Sequence, residues 1–266
     1  WAHEQPLLMR SIPSSGQEFP AVGLGSARTF SVGPSDEEQA PLRDVLRLFH
    51  EMGGRFFDTA PSYGSSERVA GQLAQELGIQ NDLFFATKIS TGGGREVGID
   101  QQKASLQSWG RNTIDLNQVH NLRDVDIHLG TIRQAKVEGR TRYVGVTTSF
   151  TRQYEQMEQV LQTEELDFVQ LNYSLGEREA AERLLLRAEQ LLKLGALLLG
   201  HDGDDRYGHL RKRDVGVGDI GADGNDGVAD FSDAHGIGCG RTILAHEQGV
   251  VRIRSTNSAQ PKERPQ

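Results

Sequence analysis

From about residue 20 to about residue 200 the chain alternates short apolar runs with helix-length amphipathic stretches, and that rhythm restricts its fold more than any other feature. Runs at 21–24, 55–58, 83–88, 114–120, 143–147, 168–171 and 196–199 are rich in β-branched and aromatic residues. They lack the polar alternation of a half-exposed sheet, so they read as strands covered on both faces. Between them lie predicted helices at 37–52, 66–77, 101–109, 129–138, 154–161 and 178–194, several with leucines three and four residues apart. Repeated strand-helix units of this kind build a parallel sheet with helices packed against it. Ahead of the first unit, Ile12-Pro13-Ser14-Ser15-Gly16 stands between two short extended runs and predicts a β-hairpin turn.

Composition narrows the function classes. With 266 residues, 36% of them hydrophobic and 25% charged, the chain can bury a sizeable core. No window approaches the roughly 18 consecutive apolar residues of a spanning helix, so no membrane role is expected. Cys239 is the single cysteine, which excludes an intrachain disulfide framework and four-cysteine zinc sites. A formal net charge of -8 argues against nucleic acid as a partner, while leaving room for a local basic patch around one phosphorylated cofactor. The start at Trp1 suggests a processed or trimmed terminus. A cytoplasmic location is the default expectation, with export after signal removal as the alternative.

Three polar residues stand at the carboxyl ends of successive predicted strands: Asp58, Lys88 and His120, with Tyr63 in the loop after the first of them. In parallel α/β folds the strand-to-helix loops converge at that end, so these side chains should face one mouth. A phenol beside an ammonium suits proton delivery, because the positive charge favours phenolate and is expected to bring the Tyr63 pKa down toward working pH. Asp58 would hold Lys88, and a neutral His120 could donate one ring N–H to a carbonyl oxygen. Arg140 and Arg142, before the fifth strand, belong to the opposite face and carry no site. His201, His209, His235 and His246 with Cys239 fit no compact ligand spacing, and Asp223-Gly224-Asn225-Asp226-Gly227 lacks the order of a calcium loop, so no metal is expected.

FFDTAPSYGSSERVAGQL, then FFATK, then IDLNQVHN, in that order and at those spacings, resemble the aldo-keto reductase family over about residues 8–195. The resemblance implies a (β/α)8 TIM barrel that binds NADPH at the carboxyl mouth and reduces a small-molecule aldehyde or ketone. It places the family's catalytic tetrad on Asp58, Tyr63, Lys88 and His120. It further implies that Gly25 and Ser26 meet the cofactor, and that Thr147, Thr148 and Gln170 hold the nicotinamide carboxamide.

Two departures from the family pattern stand out. Ser26-Ala27-Arg28 replaces the aromatic that often follows Gly25, so the pocket is expected to be wider, or partly rebuilt by Phe30. After Gly200 the sequence turns Gly- and Asp-rich and loses its periodicity; only a run at 249–253 looks strand-like, and Ile253-Arg254-Ser255-Thr256-Asn257 faintly echoes the family's eighth-strand turn. Residues 1–200 therefore read as the barrel and 201–266 as an irregular segment that leaves the barrel incomplete or irregular after its seventh strand. That composition suggests a shifted reading frame, with poor packing and protease sensitivity. The rival to a carbonyl reductase is a catalytically idle barrel fragment acting as a binding or regulatory module.

Overall fold

The structure is a computed structural model that describes residues 7–173, 179, 180, 183 and 184, together with the backbone of strands at 195–200 and 241–245. The expected turn of Ile12–Gly16 connects β1 (Met9–Ser11) to β2 (Glu18–Pro20), an antiparallel hairpin. Six parallel strands follow: β3 (Val22–Gly25), β4 (Phe56–Asp58), β5 (Phe84–Ile89), β6 (Ile114–Val119), β7 (Thr141–Thr148) and β8 (Phe168–Tyr173). β9 (Gly195–Gly200) continues the parallel order. The barrel closes on β10 (Arg241–Ala245), which runs antiparallel to both β9 and β3. The eighth strand therefore lies ahead of the run anticipated at 249–253, which falls outside the described residues. Closure against the usual direction is feasible because a short extended segment can satisfy the two exposed edges in either orientation.

Among the described residues five α-helices cover the outside: α1 (Asp36–Glu51), α2 (Ser66–Glu76), α3 (Gly94–Trp109), α4 (Val125–Val137) and α5 (Tyr154–Thr163). α1 opens on a capping box, with the Glu38 N–H donating to Ser35 Oγ at 3.3 Å and its carboxylate accepting from the Ser35 hydroxyl and the Gly33 N–H. α3 begins seven residues earlier than its hydrophobicity predicts. Its buried face is Gly98, Gln102, Ser105 and Trp109, helical in spacing but mostly small or polar, so the apolar pattern appears only at its end. The helix expected at 178–194 lies mostly outside the described residues.

Residues alternate between two cores along each strand. Leu24, Phe57 and Phe85, then Val119, Val144, Val169 and Leu171, face the helices. Phe56, Phe84, Leu116, Tyr143 and Phe168 fill the barrel, and Phe19 of the hairpin stacks beneath them, 5.2 Å from Phe84 and 5.8 Å from Phe56. The hairpin thus plugs the amino end. Arg142 belongs to this end, donating to Asp115 at 2.7 Å, as a structural residue would. Among the described residues no three potential metal ligands cluster and no helix is long and apolar enough to cross a membrane. The four histidines and Cys239 set aside above, and the 223–227 loop, are outside that range.

Candidate active site

The same alternation that sends Phe56 and Phe84 into the barrel floor sends Asp58 and Lys88 to its upper rim, on neighbouring strands. Lys88 Nζ donates to Asp58 Oδ1 at 2.9 Å, to Asp58 Oδ2 at 2.8 Å and to the Thr59 carbonyl at 2.8 Å. Both charged side chains are almost wholly out of solvent, at 1% and 3% exposure. A pair held this deep forfeits several kcal/mol of hydration per ion, on the order of what its mutual attraction returns, so stability alone gives weak reason for it. Perturbed, paired ions in a mouth are a mark of a functional site.

Tyr63 and His120 complete the group. Lys88 Nζ lies 5.1 Å from the centre of the Tyr63 ring, and that ring meets His120 edge-on with centroids 5.7 Å apart. The four residues singled out in the sequence are therefore brought together. Their electrostatics correct one expectation: burial pushes the Tyr63 phenol above its ordinary value, and the opposing pull of Lys88 does not overcome it. The ammonium is adjacent, as expected, but desolvation of phenolate is the larger effect. Burial also works against the Lys88 ammonium, yet Asp58 and Tyr63 outweigh it and hold its pKa above the usual lysine range. His120 is driven down to about 3 by burial first, then by Lys88 and Arg123, and is neutral at physiological pH.

Several contributors carry no sequence signal of their own. Ser90 and Ser62 place hydroxyls 2.8 Å and 3.2 Å from His120 Nδ1. Asn121, Leu122 and Asp124 all adopt positive φ directly after His120. Asn121 anchors that turn: its N–H donates to Thr147 Oγ1 at 2.9 Å, its carbonyl accepts from Gln153 Nε2 at 2.9 Å, and its side-chain oxygen accepts from the Ser149 N–H. Behind the sheet, the buried Glu67 carboxylate accepts from the hydroxyls of Thr87 and Ser105, and burial raises its pKa.

The residues expected to meet a cofactor separate into two sets. Gly25 pairs with Asp58 across the sheet, and Ser26 next to it is fully buried with its Oγ lacking a partner among the described residues. Gln170, inside the barrel beside Thr147, likewise has an unpartnered Nε2 and accepts only a long 3.4 Å bond from Gln118. Orphaned donors and acceptors of this kind are costly and suit a polar ligand such as a carboxamide. Thr147 Oγ1 accepts from Asn121 and keeps its own proton to donate. Thr148 is different: its hydroxyl donates to Gln153 Oε1 at 2.7 Å and accepts from the Phe150 N–H, toward the helical layer. Phe30 does not wall the mouth. It is fully buried in the helix-side core, edge-on to Phe57 at 5.3 Å.

The sequence profile of the aldo/keto reductase family matches residues 21–192. The chain belongs to the aldo/keto reductase family. It is 30% identical over 132 residues to an aldo-keto reductase of Strobilurus tenacellus, an alignment covering 47% of this chain and 38% of that one. It is 30% identical over 159 residues to the L-galactose dehydrogenase of Arabidopsis thaliana, covering 52% and 48%. The chain thus spans about half or less of the length of these aldo/keto reductase relatives. Among solved structures, the holo aldo-keto reductase of Bacillus halodurans superposes with a TM-score of 0.59 at 22% identity, covering 73% of this chain and 66% of that one. The Klebsiella pneumoniae aldo-keto reductase solved with NADPH gives 0.59 at 20% identity, covering 71% and 67%. These establish the barrel fold. Aldo/keto reductases as a family are NAD(P)H-dependent oxidoreductases that act on small carbonyl compounds, and these two relatives are named a reductase and a dehydrogenase.

Proposed function

We propose that this chain reduces a small aldehyde or ketone to the alcohol with NADPH, and that Tyr63 is the proton donor. The observation that carries the reading is the buried Lys88 ammonium, fixed by Asp58 and the Thr59 carbonyl under the Tyr63 ring, with neutral His120 at the ring edge. A bound nicotinamide would supply the hydride to the carbonyl carbon. Gln170 and Thr147 have the free hydrogen-bonding capacity to hold its carboxamide, and Ser26 and Gly25 border the same rim.

Because burial keeps Tyr63 protonated through neutral pH, it is poised to give a proton rather than to take one. As the carbonyl oxygen gains negative charge, the phenol proton passes to it and the phenolate left behind is stabilised by Lys88. Solvent then restores the phenol proton. His120, uncharged, can donate a ring N–H to the same oxygen and orient it.

The test is a titration followed by a mutation. NADPH should quench the fluorescence of the chain's tryptophans, and Tyr63→Phe should abolish carbonyl reduction while leaving that titration nearly unchanged. Wild-type turnover in Tyr63→Phe removes the proton donor from this reading. No response to NADPH favours the idle-barrel alternative.

A further inference from the structure

The neutral His120 ring carries one N–H, and which nitrogen holds it decides whether the ring can serve a carbonyl oxygen in the mouth. Among the described residues His120 has hydrogen-bond partners only at Nδ1: Ser90 Oγ at 2.8 Å and Ser62 Oγ at 3.2 Å. The two hydroxyls are themselves 3.3 Å apart, with Ser62 donating to Ser90. Each neutral tautomer leaves one proton without a protein acceptor, and the two differ in where that proton lies. With Nδ1 as a lone pair, Ser62 donates to Ser90 and Ser90 donates to Nδ1, so the proton left over is the ring Nε2–H, which a substrate oxygen can accept. With the proton on Nδ1 and Ser62 donating to Ser90, the proton left over is the Ser90 hydroxyl's, on the half-buried side of the ring.

Ser90 is the better-placed of the pair. Its N–H donates to Gln101 Oε1 at 2.9 Å and its carbonyl accepts from Arg123 Nη1 at 3.1 Å, so its hydroxyl is delivered to the ring from a fixed backbone. Around the ring, Tyr63 comes from the loop after β4, Lys88 from β5 and Arg123 from the turn after β6, and both cations oppose a second ring proton.

We propose that Ser90, backed by Ser62, is a positioning residue that locks His120 with its proton on Nε2, facing the substrate mouth. This deepens the carbonyl-reductase reading and rests on it only for the role of the Nε2 proton. A serine tautomer clamp of this type selects substrates that present a hydrogen-bond acceptor to His120, and leaves the ring unable to accept from an alcohol at that nitrogen.

The experiment is nitrogen NMR on the full chain labelled at histidine, with the His120 signals assigned by their loss in His120→Ala. The wild type should show Nδ1 unprotonated and Nε2 protonated. In Ser90→Ala the two shifts should move toward each other as the tautomers mix, and the protonation midpoint should rise from about 3 because the hydroxyl no longer favours the neutral ring. Ser90→Thr, which keeps the hydroxyl, should restore both. In turnover, Ser90→Ala should lose about tenfold in kcat with little change in KM, the scale of one hydrogen bond to the reacting system. A wild-type ring protonated at Nδ1, or unchanged shifts in both Ser90→Ala and Ser62→Ala, overturns the proposal. If the chain reduces no carbonyl but the wild-type ring is locked at Nε2, the clamp stands and the assigned activity falls.

Discussion

Lys88 and Asp58 show how a single residue pair binds stability to chemistry. Replacing Lys88 by Met leaves the Asp58 carboxylate buried without its partner, a change that costs about 3–5 kcal/mol in comparable sites. The double variant Asp58→Asn/Lys88→Met should recover part of that loss, as chemical denaturation would measure, while turnover stays down by ~10²-fold or more in both. The pH profile follows from Tyr63. With Tyr63 as the proposed proton donor, its raised pKa predicts that reduction should persist through alkaline pH and fall only once the phenol ionises, above the ordinary tyrosine range. Lys88 pulls that pKa down, so in Lys88→Met any residual activity should hold to still higher pH; a fall at lower pH than wild type contradicts this sign. That Asp58, Lys88 and His120 share one mouth is legible in the sequence because Asp58 ends β4, Lys88 lies one residue before the end of β5 and His120 directly follows β6. The direction of the Tyr63 shift was not legible, since an ammonium neighbour can be inferred from sequence but the depth of burial cannot. Ser62 and Ser90 were invisible for another reason: serine is common in loops, and only the shared distance to Nδ1 distinguishes these two.

At the scale of elements, packing turns on where the chain can come close. In α2, a Cβ added to Gly71 would overlap the Ser108 carbonyl and lie 3.1 Å from Trp109 Cα, so this glycine lets α2 lie directly on the end of α3. Trp109 is fully buried there, stacked on Phe85 at 4.3 Å. Gly71→Ala should therefore lower stability by about 1–3 kcal/mol through overpacking. Gly130→Ala, on the exposed face of α4 with open space around it, should do the reverse and stabilise by about 0.5–1 kcal/mol. Thermal unfolding of the pair checks both, and equal shifts of one sign refute the packing argument. Strands were readable from sequence because both their faces meet apolar layers, which makes continuous hydrophobic runs. α3 is half-readable because its buried side carries Gly98, Gln102 and Ser105, small or polar residues, with the Ser105 hydroxyl donating to Glu67 behind the sheet. A helix that buries polar groups keeps its 3.6-residue period but hides it from any hydrophobic scale.

For the whole molecule the open question is closure, because a (β/α)8 barrel is stable only when its first and last strands meet. From β3 to β8 each strand is parallel to its neighbour in the barrel and joined to the next by a helical crossover. β10 breaks that rule: Arg241–Ala245 pairs antiparallel with both β3 and β9. It leaves little sign in the sequence because the Gly- and Asp-rich stretch before it suggests no buried layer. That stretch places Asp202, Asp204, Asp205, Asp214, Asp219, Asp223, Asp226, Asp230 and Asp233 among glycines, a composition with little apolar surface to offset the entropy of ordering. A (β/α)8 barrel reaches its last strand through a helix, and the profile match ends at residue 192, close to where the composition changes. Together these predict that the codons beyond about residue 200 are read in a shifted frame. Translating the two neighbouring frames of the gene should recover an apolar strand, a helix and an Ile-Pro-Gly-Thr type turn. The chain carrying that restored sequence should then melt at higher temperature and bind NADPH more tightly than the present one, because a parallel eighth strand and its helix would complete the core and the cofactor's phosphate contacts. If neither frame contains those elements, and limited proteolysis leaves the chain beyond Gly200 intact, the antiparallel closure is a genuine solution of this sequence and the shifted frame is refuted.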